Sequence, residues 1–258
     1  MYLKGIKTPS NSFSINGKKL FMQSIFEKIL RHPIIFLKRI FGKAIYQRIK
    51  YQRNDGYDAE NYWKDRLNKY ADSLLGPGDE GLSETDNKKI YAIKTKRFVE
   101  LLGKYKISLN GAKVLEIGCG NGSFTEVIST QGASNATCVD ITDILFPDLS
   151  KKYSNYIFKK LDISREALND KYDVIIMIDV VQHIVADDKF LFAMKNIQNA
   201  LNKNGFLIIA PINYKETKSM FHVHFRTADA FEKALSDISF FNLEFFYNNQ
   251  ILIGIKNN

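Results

Sequence analysis

The stretch VLEIGCGNGSF (residues 114–124) places three glycines, Gly118, Gly120 and Gly122, between a short apolar run and a segment with apolar residues at helical spacing. Glycine is needed where backbone approaches a ligand closely or takes positive φ. A strand that runs into such a turn and then into a helix can hold a nucleotide. Asp140, which ends ATCVD, follows Gly118 by 22 positions, a spacing at which a carboxylate can accept both ribose hydroxyls. Two kinds of nucleotide site are excluded. A dinucleotide fingerprint would set its third glycine at position 123, which is Ser123. A phosphate-binding P-loop would end in Gly-Lys-Ser/Thr, and this turn does not.

Three histidines, His183, His222 and His224, are candidate general bases, since a hydroxyl acceptor must lose its proton as it attacks. His183 follows the apolar run YDVIIMI, at the carboxyl edge where open α/β sheets bind ligands. His222 and His224 point the same way if their stretch is extended. For each there is a plainer role, a ring hydrogen-bonded to loop backbone. The His-x-His pair also has a metal-ligand spacing, but no clear carboxylate cluster supports it, so no metal is expected. Arg226 can pair with an anionic acceptor or with the acids that follow it. Cys119 reads as a small filler of the turn.

From Lys113 onwards short apolar runs (KVLEI, ATCVDI, YIFKKLDI, YDVIIMI, GFLIIAPI) alternate with helical patterns. That alternation predicts an α/β fold with a parallel sheet and crossover helices. Two late strand-like runs, 240–247 and 250–256, are separated by Asn248 and Asn249 and predict a terminal antiparallel hairpin, because Asn tolerates positive φ. Residues 54–110 read as mainly helical, over 57–75 and 88–105, around the loop GPGDEGLSETDN (76–87). Ser83 and Asp86 have the spacing of a capping box with a shorter acid. Three regions are therefore expected: a basic segment 1–53, a helical cap 54–110, and a nucleotide-binding domain 111–258.

The formal charge of +9 is unevenly distributed. Residues 1–53 hold twelve Lys or Arg against a single acid, Glu27, whereas the rest holds 25 basic and 27 acidic residues. The excess points to a localised anionic partner, a membrane surface or nucleic acid. Apolar stripes through Met22, Ile25, Phe26, Ile29 and Leu30, and through Ile34, Leu37, Ile40, Phe41 and Ile45, flank Pro33 and predict two helices broken or kinked there. Within 21–50 no stretch free of acid, Lys and Arg is longer than that from His32 to Leu37, far short of the ~20 residues that span a bilayer. An interfacial helix pair fits residues 21–50; packing against the body or a partner chain is the alternative. Two cysteines, Cys119 and Cys138, are too few for a disulfide framework. No apolar run with a cleavage site opens the chain. A reduced, cytoplasmic protein, peripheral at the inner membrane face in the membrane reading, is expected.

Glu116-Ile-Gly-Cys-Gly-Asn-Gly122 resembles the first motif of class I S-adenosylmethionine-dependent methyltransferases, and the resemblance runs over roughly residues 111–258. It implies a Rossmann-like sheet with helices on both faces, an added reversed strand and S-adenosyl-L-methionine as cofactor. By resemblance, Glu116, Gly118, Cys119, Gly120, Asn121 and Gly122 form the cofactor turn. Asp140 and Ile141 meet the ribose, and Asp162 and Ile163 the adenine. Met177 marks the fourth strand beside the site. Asp162 has an alternative, capping the turn that begins near Ser164.

In such methyltransferases the N-terminal helices set the acceptor. Here Tyr62, Trp63 and Arg66 are the candidate substrate-binding residues, although Trp63 suits a core anchor equally well. YWKDR followed by GPGDEGLSETDN is similar to bacterial methyltransferases encoded with surface-polysaccharide genes. The expected reaction is O-methylation of a sugar or sugar-linked small-molecule acceptor, lipid-linked forms included. The alternatives are a quinone-like lipid phenol and RNA. RNA is disfavoured by the near-neutral charge of 54–258 and by Met-Ile-Asp-Val where an amino-directed enzyme would carry Asn-Pro-Pro-Tyr. A non-catalytic scaffold is the remaining reading.

Overall fold

The computed structural model describes residues 33–257. The stripe Met22–Leu30 and His32 lie outside them. By its contacts the chain divides at Lys50/Tyr51. The expected cap region and nucleotide-binding domain therefore fall within one compact unit, residues 51–258. Helix α1 (Pro33–Tyr51) carries Arg48 and Lys50 in its last turn, where cations complement the helix dipole. Among the described residues no helix is long and apolar enough to cross a membrane.

The larger unit opens with a two-residue ribbon, β1 (Gln52–Arg53) against β2 (Gly56–Tyr57), then α2 (Ala59–Tyr70) and α3 (Glu84–Lys104). Ser83 caps α3: its Oγ accepts the Asp86 N–H at 3.1 Å and donates to the Asp86 carboxylate at 2.7 Å. Next come β3 (Val114–Ile117), α4 (Ser123–Thr130), β4 (Ala136–Asp140), α5 (Phe146–Lys152), β5 (Ile157–Lys160) and β6 (Tyr172–Ile178). They are followed by α6 (Asp187–Ala200), β7 (Leu201–Ile212), the short hairpin β8 (Thr217–Met220) and β9 (Val223–Phe225), α7 (Ala228–Ala234), β10 (Ile238–Phe246) and β11 (Asn249–Lys256). Seven strands form one sheet in the order β10-β11-β7-β6-β3-β4-β5. β3 to β7 pair in parallel, while β11 runs antiparallel to both of its neighbours.

Strand alternation sends successive residues to opposite faces. Val114, Ile176, Ile208 and Ile253 pack on one side with Phe98 and Leu101 of α3, Phe124 and Ile128 of α4, and Leu149 of α5. Leu115, Ile175, Met177, Leu207 and Leu252 pack on the other with Phe190, Met194 and Ile197 of α6 and Phe231 of α7. Each fully buried side chain of this size contributes roughly 1.5–3 kcal/mol. A smaller aromatic cluster joins Tyr62 of α2 to Tyr51 and Tyr57.

The terminal hairpin is present, with Phe246 opposite Asn249. Its left-handed residue is Tyr247 (φ +59°), where an asparagine was expected. A β-carbon costs about 1 kcal/mol there, so Tyr247→Gly should raise the melting temperature by a few degrees. A calorimetric scan showing a lower melting temperature would mean that packing of the Tyr247 ring outweighs the strain.

Candidate functional site

The carboxyl ends of β3, β4 and β6 open into a cavity of about 220 Å³. Its floor is the glycine turn. Gly118 takes φ +79°, and a β-carbon there would lie 2.0 Å from Val180 Cγ2; Gly122 takes φ +82°, with Leu149 Cδ2 2.5 Å from such an atom. The turn is pinned to β4. The Val139 carbonyl accepts Gly118 N–H at 2.7 Å and Cys119 N–H at 3.3 Å. Asp140 Oδ2 accepts Gly120 N–H at 3.0 Å, and Oδ1 accepts the Thr142 N–H at 3.0 Å. Burial pushes the Asp140 carboxyl up from its ordinary range, against the pull of those N–H donors.

Glu116 is buried, with Oε2 accepting the Thr125 hydroxyl at 2.6 Å. Burial raises its pKa to about 7, opposed by hydrogen bonds from Thr125 and Cys138 and reinforced by the charge of Asp140. Asp162 Oδ1 accepts the Ser164 N–H at 2.9 Å and its hydroxyl at 2.6 Å, so the side chain caps this turn while also lining the cavity.

Residues 51–105 wall the opposite side. Tyr57, Trp63, Leu67, Pro77 and Tyr91 line the cavity, and at its mouth Asp55 pairs with Lys189 at 2.6 Å and Arg165 at 3.5 Å. Arg66 holds the wall together. Its guanidinium donates to the carbonyls of Leu75 and Gly78 and to Tyr62 Oη, and lies 5.2 Å from the centre of the Trp63 ring. The loop it grips reaches the glycine turn, where Asn121 Nδ2 donates to the Asp72 carbonyl at 3.0 Å.

His183 lines the cavity. Its Nδ1 faces the His222 carbonyl at 2.9 Å; a carbonyl only accepts, so the proton sits on Nδ1 and Nε2 keeps its lone pair. Gln182 Nε2 donates to that nitrogen at 3.1 Å. Trp63 packs edge-on against the His183 ring at 4.8 Å, and the His222 ring stacks on it at 5.8 Å. Burial lowers the His183 pKa to about 4, so its imidazole is neutral at physiological pH.

Of the residues singled out in the sequence, Glu116, Gly118, Cys119, Gly120, Asn121, Asp140, Ile141, Asp162, Ile163, Trp63 and His183 line the cavity. Gly122 shapes the turn from behind it. Six others do not line it. Met177 is fully buried on the far face of β6, because strand alternation gives the cavity to Ile176 and Ile178. His222 is set behind His183, bonded to Tyr62 Oη at 3.1 Å, and burial lowers its pKa to about 3. His224 has both ring nitrogens on acceptors, the Val185 carbonyl at 3.2 Å and Glu216 at 2.6 Å. Arg226 donates to the Ile184 carbonyl at 2.8 Å and to Asp187 at 2.7 Å, over the Phe190 ring. Tyr62 and Arg66 support the wall from behind.

Sequence reasoning missed Asp179. It follows β6 in the left-handed region (φ +59°), lines the cavity and pairs with Lys94 of α3 at 2.5 Å. A carboxylate at the carboxyl end of a central strand was the available signal.

Residues 58–244 match the family described as methyltransferase domain. The chain belongs to this family. The methyltransferase is 25% identical over 142 residues to a ubiquinone biosynthesis O-methyltransferase of Rickettsia typhi, covering 52% of this chain and 55% of that one. It is 29% identical over 156 residues to nodulation protein S of Azorhizobium caulinodans, covering 58% and 69%. The chain spans about half to three-fifths of the length of the ubiquinone-pathway relatives it matches. Among solved structures, magnesium protoporphyrin IX methyltransferase from Synechocystis PCC 6803 with bound S-adenosylmethionine superposes with a TM-score of 0.59 at 19% identity, over 80% of this chain and all of that one. The sheet is thus the Rossmann-like methyltransferase sheet, and the cofactor is S-adenosylmethionine. The cradle fits it: a turn that admits no β-carbon at Gly118, a carboxylate at the end of β4, and an apolar slot through Ile141, Leu161 and Ile163.

The buried Glu116 gives a pH-dependent test. Its folded pKa of about 7 lies above the ordinary 4.5, so wild type loses stability relative to a neutral isostere as pH rises from 4.5 through 7. Glu116→Gln should unfold at a higher temperature than wild type at pH 8, by up to about 3 kcal/mol, and the gap should close near pH 4.5. Equal melting temperatures at pH 8 would show that the carboxylate ionises without cost.

Proposed function

We propose that this methyltransferase transfers the methyl group of S-adenosylmethionine to a hydroxyl of a sugar or sugar-linked acceptor. A lipid-linked form of that acceptor would put the reaction at the cytoplasmic face of a membrane. The observation that supports the hydroxyl assignment is the neutral His183 ring on the cavity wall: Nδ1 is committed to a carbonyl, so Nε2 carries the lone pair, which accepts from Gln182 in this structure and would exchange that donor for the acceptor hydroxyl. The acceptor class rests on the surroundings. The Trp63 indole offers an apolar face for a sugar ring, and Asp55, Asp58 and Glu60 give the mouth the hydrogen-bond acceptors that a polyhydroxylated ligand uses. Asp179 lines the same space and is held in place by Lys94.

The cofactor supplies a methyl group already activated on a sulfonium, so the chain mainly positions the acceptor and excludes water. In this reading the glycine turn and Asp140 seat the cofactor. The wall from Tyr57 to Tyr91 shields the site, and His183 Nε2 takes the acceptor proton. A quinone-like phenol is the second reading, favoured by the names of the ubiquinone-pathway relatives and by the aromatic wall of Tyr57 and Trp63. The lipid solubility of the labelled product separates the two.

Purified full chain, methyl-labelled S-adenosylmethionine and a fractionated cell lysate provide the test, with Asp140→Ala as control. Asp140-dependent label in nucleotide sugars or sugar-bearing lipid is expected; label in RNA, or in a lipid free of sugar, would overturn the acceptor assignment. With the acceptor in hand, His183→Gln should lower kcat by about 10²-fold or more and leave cofactor affinity unchanged. Because burial holds His183 near 4, the wild-type rate should show no limb from this imidazole between pH 6 and 8. An unaltered kcat in His183→Gln would assign the ring to structure alone.

A further inference from the structure

We infer that helix α1 binds the surface of an anionic phospholipid bilayer. The inference goes beyond the acceptor reading and stands whichever hydroxyl is methylated. Three large apolar side chains in the last turns of α1 face solvent: Ile45 is 56% exposed, Tyr46 64% and Ile49 77%. At about 100° per residue they fall within one arc of roughly 100° on the helix. Lys43 and Lys50 lie beyond one border of that arc and Arg48 beyond the other.

Charge identifies the occupant. Residues 1–53 hold twelve Lys or Arg and one acid, while residues 54–258 hold 25 basic and 27 acidic residues. The attraction for anions is thus concentrated in the part of the chain that carries the exposed apolar arc. Nucleic acid would use the basic residues and leave Ile45 and Ile49 in water. A bilayer interface takes both, with the apolar arc at the acyl boundary and the Lys and Arg stems extended toward headgroup phosphates. The helix lies on such a surface and does not traverse it, since among the described residues no helix is apolar enough to span.

The test is co-sedimentation of the full chain with vesicles of phosphatidylcholine alone and of phosphatidylcholine with about one-third phosphatidylglycerol. Binding to the anionic vesicles is expected to be at least about ten-fold tighter and to weaken as salt rises. Ile45→Asp with Ile49→Asp should remove about ten-fold of it, and so should Lys43→Glu with Lys50→Glu. Unchanged binding of S-adenosylhomocysteine by both variants would show that the larger unit is still folded. Equal binding to neutral and anionic vesicles, or no binding to either, would overturn the inference. So would vesicle binding that the isoleucine substitutions leave intact, because a purely electrostatic arm needs no apolar arc.

Discussion

The site depends on one backbone constraint, the left-handed turn at Gly118–Gly122 held against the end of β4. Two successive amides, of Gly118 and Cys119, converge on the Val139 carbonyl, and the Asp140 carboxylate takes the Gly120 amide. Asp140 therefore has two tasks. It is aimed into the cavity by the strand that ends with it, and it organises the turn that forms the cavity floor. A carboxylate with only one of these tasks would be free to rotate. Here Thr142 and Gly120 fix both oxygens, and the order costs an ionised group in a buried place, which is why its pKa rises. The missing β-carbon at Gly118 is equally structural, because Val180 at the end of β6 occupies that space. Three strands thus meet at one turn, and the sheet order β6-β3-β4 is what brings them together.

The wall from residue 51 to 105 is tied to this floor by polar contacts. Arg66 binds loop carbonyls, the Tyr62 hydroxyl and the Trp63 face together, and Tyr62 passes the connection to His222. The His222 backbone carbonyl then sets the tautomer of His183. Thus three residues that do not line the cavity decide which nitrogen of the fourth, which does, carries the proton. Such a buried network specifies geometry more than it adds stability. Its buried Arg66 Nε and His222 Nδ1 have no partner among the described residues.

What was legible in the sequence follows from range. The seven strands of the main sheet, their order of appearance and the glycine turn depend on local pattern, and each overlaps the run that the spacing marked, whereas the short ribbons β1–β2 and β8–β9 carried no such pattern. The same periodicity contained the answer for Met177, since period two gives the cavity to Ile176 and Ile178 and the core to the residue between them. The roles of His222, His224 and Arg226 depend on contacts about forty residues or more away, with Tyr62, Val185 and Ile184. No spacing within 221–226 encodes those. Asp162 shows that two readings can be compatible: one oxygen caps the turn at Ser164 while the residue still lines the cavity. Tyr247 goes the other way, because hairpin register, set by the whole β10–β11 ladder, forced a bulky residue into a conformation that the neighbouring asparagine would adopt more readily.

Burial of His183 fits the charge of the cofactor. S-adenosylmethionine would bring a positive sulfur, and an imidazolium lining the same cavity would repel it in a medium of low dielectric constant. Desolvation, with Arg66 adding to it, keeps the ring neutral far below physiological pH. The other cations near the cavity are matched in the same way: Lys94 by Asp179 and Lys189 by Asp55. Glu116, Asp140 and Asp179 leave the lining rich in carboxylates. A cavity arranged like this favours a cationic ligand and a neutral acceptor.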